Sequence, residues 1–232
     1  MKNQVVRMRE QKEILRVKVT KEAIKESYAK ISRFYAAVEG GFEKGLRKKG
    51  LELLAVQQDE AVLEIGFGTG HALVELARCV GKNGKVSGID ITPQMVEITR
   101  KRLEKEGLID RVEVYEEDAR NMPFEDNLFD AVYMASSLEL FDTPDIPKVL
   151  EEVKRVLKPG GRLGVISMSK EGHEDSLFLK FYEWLHKKIP KYASCRPIYV
   201  EDSIREAGYK IAEAEEFMLT GLVPEKIVVA RV

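Results

Sequence analysis

The chain has 232 residues, 44% hydrophobic and 33% charged, with a formal net charge of −1. That composition fills one sizeable core, is too apolar for a disordered chain and leaves no room for two full domains. Two cysteines, Cys79 and Cys195, and three histidines, His71, His173 and His186, exclude a disulfide framework and a Cys/His metal cluster.

No apolar stretch approaches the roughly 20 residues that cross a bilayer, and Met1 to Glu10 places charges where a signal peptide needs its apolar centre, so a cytoplasmic location is expected. The neutral total hides an asymmetry: residues 1–50 hold 14 Lys+Arg against 6 Asp+Glu, and the remainder 24 against 33. Such a leading segment fits a solvated helix face docked on an acidic body, or else an anionic partner surface. In it Ile24, Tyr28, Ile31, Tyr35 and Val38 recur at steps of four and three, which predicts one apolar helical stripe. After Gly40-Gly41 a second helix is expected from Phe42 to Leu54. Residues 1–50 are thus read as a helical cap and residues 51–232 as the main domain.

From Ala61 the pattern changes to short β-branched runs separated by helical stretches, the signature of parallel βαβ construction. Strands are expected at Ala61 to Phe67, Lys85 to Ile91, Arg111 to Asp118, Asp130 to Ser136 and Arg162 to Ser169. Helices are expected from Gly70, from Thr92 as cap with Pro93 in the first turn, and from Pro144 to Leu157. Cys79 reads as a small buried hydrophobe. An insertion at about 170–197 holds a helix, Asp175 to Lys188, whose Phe178, Phe181, Tyr182 and Trp184 read as a lid over the carboxyl ends of the strands. A helix near Glu201 to Ala207 precedes two closely spaced strands, Tyr209 to Phe217 and Lys226 to Val232. So short a link makes a hairpin, and the last strand must run antiparallel to its neighbour. The expected fold is a Rossmann-like α/β, seven-stranded, mostly parallel sheet with its last strand reversed.

The segment Glu64-Ile65-Gly66-Phe67-Gly68-Thr69-Gly70 is a strand entering glycines at alternate positions and then a helix, a turn where a ligand approaches the backbone. Asp90 ends the next strand, 20 residues beyond Gly70, where a carboxylate can accept from both hydroxyls of a ribose. Asp118 and Ala119 end the third strand. A dinucleotide fingerprint needs glycine at position 71, where His71 stands. The observed G-x-G-x-G behind acidic Glu64 resembles motif I of the class I S-adenosylmethionine-dependent methyltransferases. Gly88-Ile89-Asp90, Glu117-Asp118-Ala119, Phe129-Asp130-Ala131-Val132 and Leu157-Lys158-Pro159-Gly160-Gly161 resemble that family's later motifs, the last as the turn into the fifth strand. Within the family the motif order is similar to the ubiquinone/menaquinone-biosynthesis methyltransferases and the phospholipid N-methyltransferases. Phe34-Tyr35 stands where those relatives show Tyr-Asp, with Ala36 in place of the acid.

The resemblance implies S-adenosylmethionine as cofactor, held by Glu64, Gly66, Phe67, Gly68, Gly70, Asp90, Ile91, Met95, Asp118, Ala119 and Ser136, with Tyr35 a candidate to cover it. It implies a small-molecule or lipid-like methyl acceptor. The basic leading segment would suit peripheral membrane contact, a homodimer is admitted, and no specific nucleic acid is expected. If the acceptor must lose a proton, His173, His186 and Tyr35 are the candidate catalytic groups. Two alternatives stay open: a protein that binds the cofactor without transferring methyl, and a nucleotide-dependent oxidoreductase.

Overall fold

The computed structural model describes residues 14–17, 42–189 and 195–232. The stripe from Ile24 to Val38, with Tyr28 and Tyr35, lies outside the described residues. In chain order the elements are α1 (Phe42–Leu54), β1 (Ala61–Ile65), α2 (His71–Cys79), β2 (Lys85–Asp90), α3 (Pro93–Lys105), β3 (Val112–Glu116) and β4 (Phe129–Ala135). A single 3₁₀ turn, Leu138–Leu140, follows, then α4 (Ile146–Val156), β5 (Leu157–Met168), α5 (Leu177–Lys188), α6 (Val200–Glu206), β6 (Lys210–Leu219) and β7 (Val223–Arg231).

The strands form one sheet in the order β3-β2-β1-β4-β5-β7-β6. β1 to β5 pair in parallel, and β7 enters antiparallel between β5 and β6, as a hairpin with a short link requires. Alternation along β1 and β4 sends Val62, Ala131 and Tyr133 into the core shared with α1, α2 and α3, and Leu63, Val132 and Met134 into the core shared with α4 and α6. Both faces are covered, which is why these strands read as continuous apolar runs. The chain leaves β1 toward β2 and β3, then returns to β4 on β1's other side. Loops on the two sides of β1 therefore part at its carboxyl end and leave a crevice.

Four local expectations are corrected. Thr92 stands at the cap position with Pro93 in the first helical turn, but its side chain makes no capping bond; Met95 N–H is bound by the Thr92 carbonyl at 3.0 Å, and the Thr92 N–H donates to Asp90 Oδ1 at 2.8 Å. The helix expected from Pro144 starts at Ile146 and ends at Val156. Leu157 to Gly161 is not a turn ahead of the fifth strand but part of β5: Leu157 pairs with Phe129 and Arg162 with Ala131, so the residues between bulge opposite Asp130. The Lys158 ammonium closes this bulge on both Asp130 oxygens, at 2.8 and 2.7 Å, and Asp130 also accepts from Ala61 N–H. Cys79 is exposed, not buried, because it falls on the outward side of the last turn of α2.

α1 crosses the boundary expected at residue 50. Leu51 and Leu54 enter the core against Tyr133 and Ile166, and a Cβ at Gly50 would stand 2.7 Å from Ile166 Cδ1, so the missing side chain lets the helix press on the sheet. Leu54→Ala is expected to cost about 2–5 kcal/mol in urea unfolding, the range for emptying a fully buried leucine site. A loss below about 1 kcal/mol would detach α1 from the main core.

Candidate functional site

The loops at the carboxyl ends of β1, β2, β3 and β4 line one pocket. Its walls include Gly66, Phe67 and Gly68 after β1, Asp90 and Ile91 after β2, Asp118 and Ala119 after β3, and Ser136 and Ser137 after β4. Glu64 and Met95, both nearly fully buried, reach it from β1 and α3. Of the residues read from the sequence as cofactor-binding, Gly70 is not among the lining residues and Tyr35 lies outside the described ones.

The glycines serve different purposes. Gly66 and Gly70 have φ of 72° and 79°, which L side chains adopt only with strain. A Cβ at Gly66 would stand 2.6 Å from Ser137 Cβ, and one at Gly70 2.5 Å from Thr99 Cγ2. The protein's own packing therefore claims both Cβ places, while the Gly66 backbone still lines the pocket and Gly70 does not. Gly68 differs: its N–H donates to Asp90 Oδ2 at 3.0 Å and its carbonyl accepts from the Thr99 hydroxyl. Asp90 thus ties the glycine loop to the end of β2 with one oxygen and the start of α3 with the other. Ser136 holds φ of 49° at the end of β4, a conformation that a non-glycine residue keeps only where its surroundings enforce it; its N–H is bound to Ile166 carbonyl.

Charge is divided within the pocket. Asp118 is gripped by Arg120 through both oxygens, at 3.0 and 2.7 Å, and Arg120 also bridges to Asp145 at 2.7 Å. Asp142 is held by Arg16 at 2.6 Å and accepts from the backbone N–H of Val17; its acidity is raised chiefly by that Arg16 hydrogen bond. At the α1 side stand buried Glu64 and Arg47, the latter 3.6 Å from Glu75. His71 also lines this side, with Nδ1 3.2 Å from Arg102 Nη1; burial, then Arg102 and Arg47, push its pKa down to about 4, so it is neutral at pH 7. The remaining wall is apolar: Val17, Leu46, Ala135, Leu140, Phe141 and Ile166.

Neither histidine named as a base reaches the pocket. His173 faces Glu216 on β6 at 3.0 Å, and His186 is buried on α5 with Nε2 3.4 Å from the carbonyl of Arg16. Of the insertion's aromatics, Phe181 and Trp184 stack on each other at 5.9 Å and stand exposed, while Phe178 stacks on Tyr182; none of the four lines the pocket.

What sequence reading missed is a strap. Residues 14–17 cross the pocket rim, pinned by Asp142, by the Thr143 hydroxyl on Leu15 carbonyl, and by Arg196 Nε on the same carbonyl at 2.5 Å. Arg196 is completely buried and its other nitrogens donate to Glu139 carbonyl and Thr143 Oγ1. Arg16, Asp142 and Arg196 lie far apart in the sequence, which gives no hint that they meet.

Comparison with known proteins matches residues 62–161 to the model of a methyltransferase domain. A ubiquinone/menaquinone biosynthesis C-methyltransferase of Teredinibacter turnerae is 36% identical over 155 residues, 67% of this chain and 61% of that one. A sterol 4-C-methyltransferase of Caenorhabditis elegans is 31% identical over 160 residues, 68% of this chain and 46% of that one. The chain thus spans less than two thirds of the length of these curated relatives. Among solved structures, an S-adenosylmethionine-dependent methyltransferase of Aquifex aeolicus superposes with a TM-score of 0.60 at 27% identity, covering 80% of this chain and 89% of that one. The [4+2]-cyclase SpnF shares the fold with a TM-score of 0.71 at 21% identity, over 92% of this chain and 97% of that one.

Glu139, one residue before pocket-lining Leu140, is fully buried beside Ser167 and Arg196. Ser167 lies near enough to favour the carboxylate, yet neither Glu139 Oε2 nor Ser167 Oγ has a partner at hydrogen-bond geometry. Burial pushes the Glu139 pKa up to about 7, against its own backbone amide, Ser167, Met168 and Arg196. The folded chain therefore holds this proton to a higher pH than the unfolded one, where the value is 4.5, and stability falls as pH rises between the two. Glu139→Gln is expected to flatten that fall, with a gain at pH 8 relative to pH 4 of up to about 3 kcal/mol in urea unfolding. A parent-like pH dependence in the variant would contradict it.

Proposed function

We propose, from the match of residues 62–161 to a methyltransferase-domain model, that the protein is an S-adenosylmethionine-dependent methyltransferase acting on a small, largely apolar or lipid-like acceptor. The observation that carries the reading is the convergence of four successive strand-end loops on one pocket with its charges placed in order. Buried Glu64 faces an ammonium and Arg47 a carboxylate, a match for a zwitterionic amino acid. Asp90 offers its oxygens to two ribose hydroxyls, and Asp118 with Ala119 borders the base. The lining holds six carboxylates, Glu64, Asp90, Glu117, Asp118, Asp142 and Asp145, against two arginines, Arg47 and Arg120. That surplus favours a sulfonium cation and disfavours a pyrophosphate, which speaks against a nicotinamide dinucleotide.

When bound, the cofactor supplies an electrophilic methyl group. The chain's own share is position and the exclusion of water. Asp90 fixes Gly68 from one side while Thr99 fixes it from the other, so the loop is set before any ligand arrives. Val17, Leu140 and Phe141 keep water from the open side, and Ile166 with Ala135 floors it. Neutral His71 adds no charge that would repel a cation. An apolar wall suits relatives named for quinone biosynthesis and for a sterol, and the same class of acceptor is proposed here. With His173 and His186 turned away, neither is retained as a base. Residues 1–50 as a cap, the insertion at about 170–197 as a lid, a cytoplasmic location, a homodimer and peripheral membrane contact through the basic leading segment belong to the same proposal. No helix among the described residues is long and apolar enough to cross a membrane.

Asp90→Ala is expected to weaken S-adenosylmethionine binding by about 10- to 100-fold in calorimetry, the scale for losing hydrogen bonds to a charged group. It should also lower thermal stability, since the Gly68 and Thr92 N–H groups lose their acceptor. Unchanged affinity would remove Asp90 from the site, and tight NAD binding by the parent would overturn the cofactor. Transfer of labelled methyl into the lipid fraction of a cell extract is the expected acceptor result; label appearing only in protein or nucleic acid would refute the acceptor class.

A further inference from the structure

Eight large hydrophobic side chains stand exposed among the described residues, and six of them occupy two elements: Leu177, Phe181, Trp184 and Ile189 on or just after α5, and Met218 and Leu222 at the β6–β7 hairpin tip. The other two, Ile109 and Leu128, precede β3 and β4 at the amino end of the sheet. β6 runs in the same direction as β5, so its hairpin tip lies at the carboxyl end, where the pocket opens. The loop leading to α5 meets β6 there, with His173 on Glu216 at 3.0 Å. Two separate elements therefore turn apolar side chains outward at one rim.

On α5 the exposed set is a stripe. Leu177, Phe181 and Trp184, 84%, 58% and 52% exposed, recur at steps of four and three, while Leu179 and His186 on the opposite side are buried. The helix is held flat on the body by Glu183 on Lys170 at 2.6 Å. Lys180 and Lys187 flank the stripe and Lys188 continues it; Lys180 is paired with Asp175, and Lys187 and Lys188 have no ion pair among the described residues. Cations beside a flat apolar stripe ending in stacked aromatic rings match the headgroup boundary of a bilayer, where apolar faces sink and lysines meet phosphates. A second copy of the chain would bring lysine against lysine on the same stripe.

We propose that α5 and the β6–β7 tip form the face by which the protein rests on an anionic phospholipid surface, with Leu177, Phe181 and Trp184 entering the acyl boundary and Lys180, Lys187 and Lys188 at the phosphates. This contact is distinct from that of the leading segment and needs neither cofactor nor methyl transfer.

Trp184 is the chain's only tryptophan, so its fluorescence reports this face alone. The full chain, without cofactor, is mixed with vesicles of equal phosphatidylcholine and phosphatidylglycerol. A blue shift of Trp184, quenching by brominated lipid and co-sedimentation that weakens at high salt are expected. The double variant Leu177→Glu with Phe181→Glu should lose about tenfold or more in vesicle partition. Its affinity for S-adenosylmethionine should stay at the parent value, which shows that it is folded. Vesicle binding by the double variant equal to the parent's, or an emission maximum that vesicles leave unmoved, would overturn the proposal. So would self-association of the parent that the double variant abolishes, because it would assign the face to a second copy.

Discussion

One carboxylate sets the geometry on which the site depends. Asp90 ends a strand buried between two others, so its place is fixed by the sheet, and its two oxygens reach Gly68 on one side and Thr92 on the other. The glycine loop has little intrinsic reason to hold one shape: Gly66, Gly68 and Gly70 all sit at positive φ, where glycine loses the most conformational freedom on folding. Asp90 and Thr99 together supply the restraint, and Ser137 and Thr99 fill the volume that side chains at 66 and 70 would have taken. A loop held in this way offers a ligand a surface that costs little to organise on binding.

Around that point the fold separates tasks by distance along the chain. The parallel strands and their helices, α2, α3 and α4, supply rigidity and the polar loop ends. Elements from outside the βαβ pattern, the 14–17 strap, α1 and the one-turn helix after β4, add apolar wall to that given by Ala135 and Ile166 on β4 and β5. A fold shared with a cyclase at 21% identity does not by itself dictate chemistry, so the functional weight rests on which side chains these outer elements bring in. Here they bring Val17, Leu46, Leu140 and Phe141, and a buried Arg196 that binds strap and turn together.

Much of the fold was legible because parallel strands covered on both faces must read as short β-branched runs, and Val62, Leu63, Val132 and Val165 do so. The strand-end residues were equally legible, since Gly66, Asp90 and Ala119 stand at fixed offsets from those runs. Long-range pairing was not. Arg16 and Asp142 are separated by 126 positions, and no periodicity encodes their meeting. Local competition also hid details: Thr92 has the composition of a cap, but the Met95 N–H that its hydroxyl would take is already bound by its own carbonyl at 3.0 Å. The aromatics of α5 were less legible for a different reason, because composition shows that a helix has aromatic side chains on several faces but not which face the body covers. His173 and His186 were named for their chemistry alone, and packing sends one to Glu216 and the other inward.

The most direct measurement is a crystal structure with S-adenosylhomocysteine bound. Ribose hydroxyls within about 3 Å of the Asp90 carboxylate, with the amino acid end between Glu64 and Arg47, are the expected result. A nucleoside bound elsewhere, or an Asp90 turned from the sugar, would contradict it.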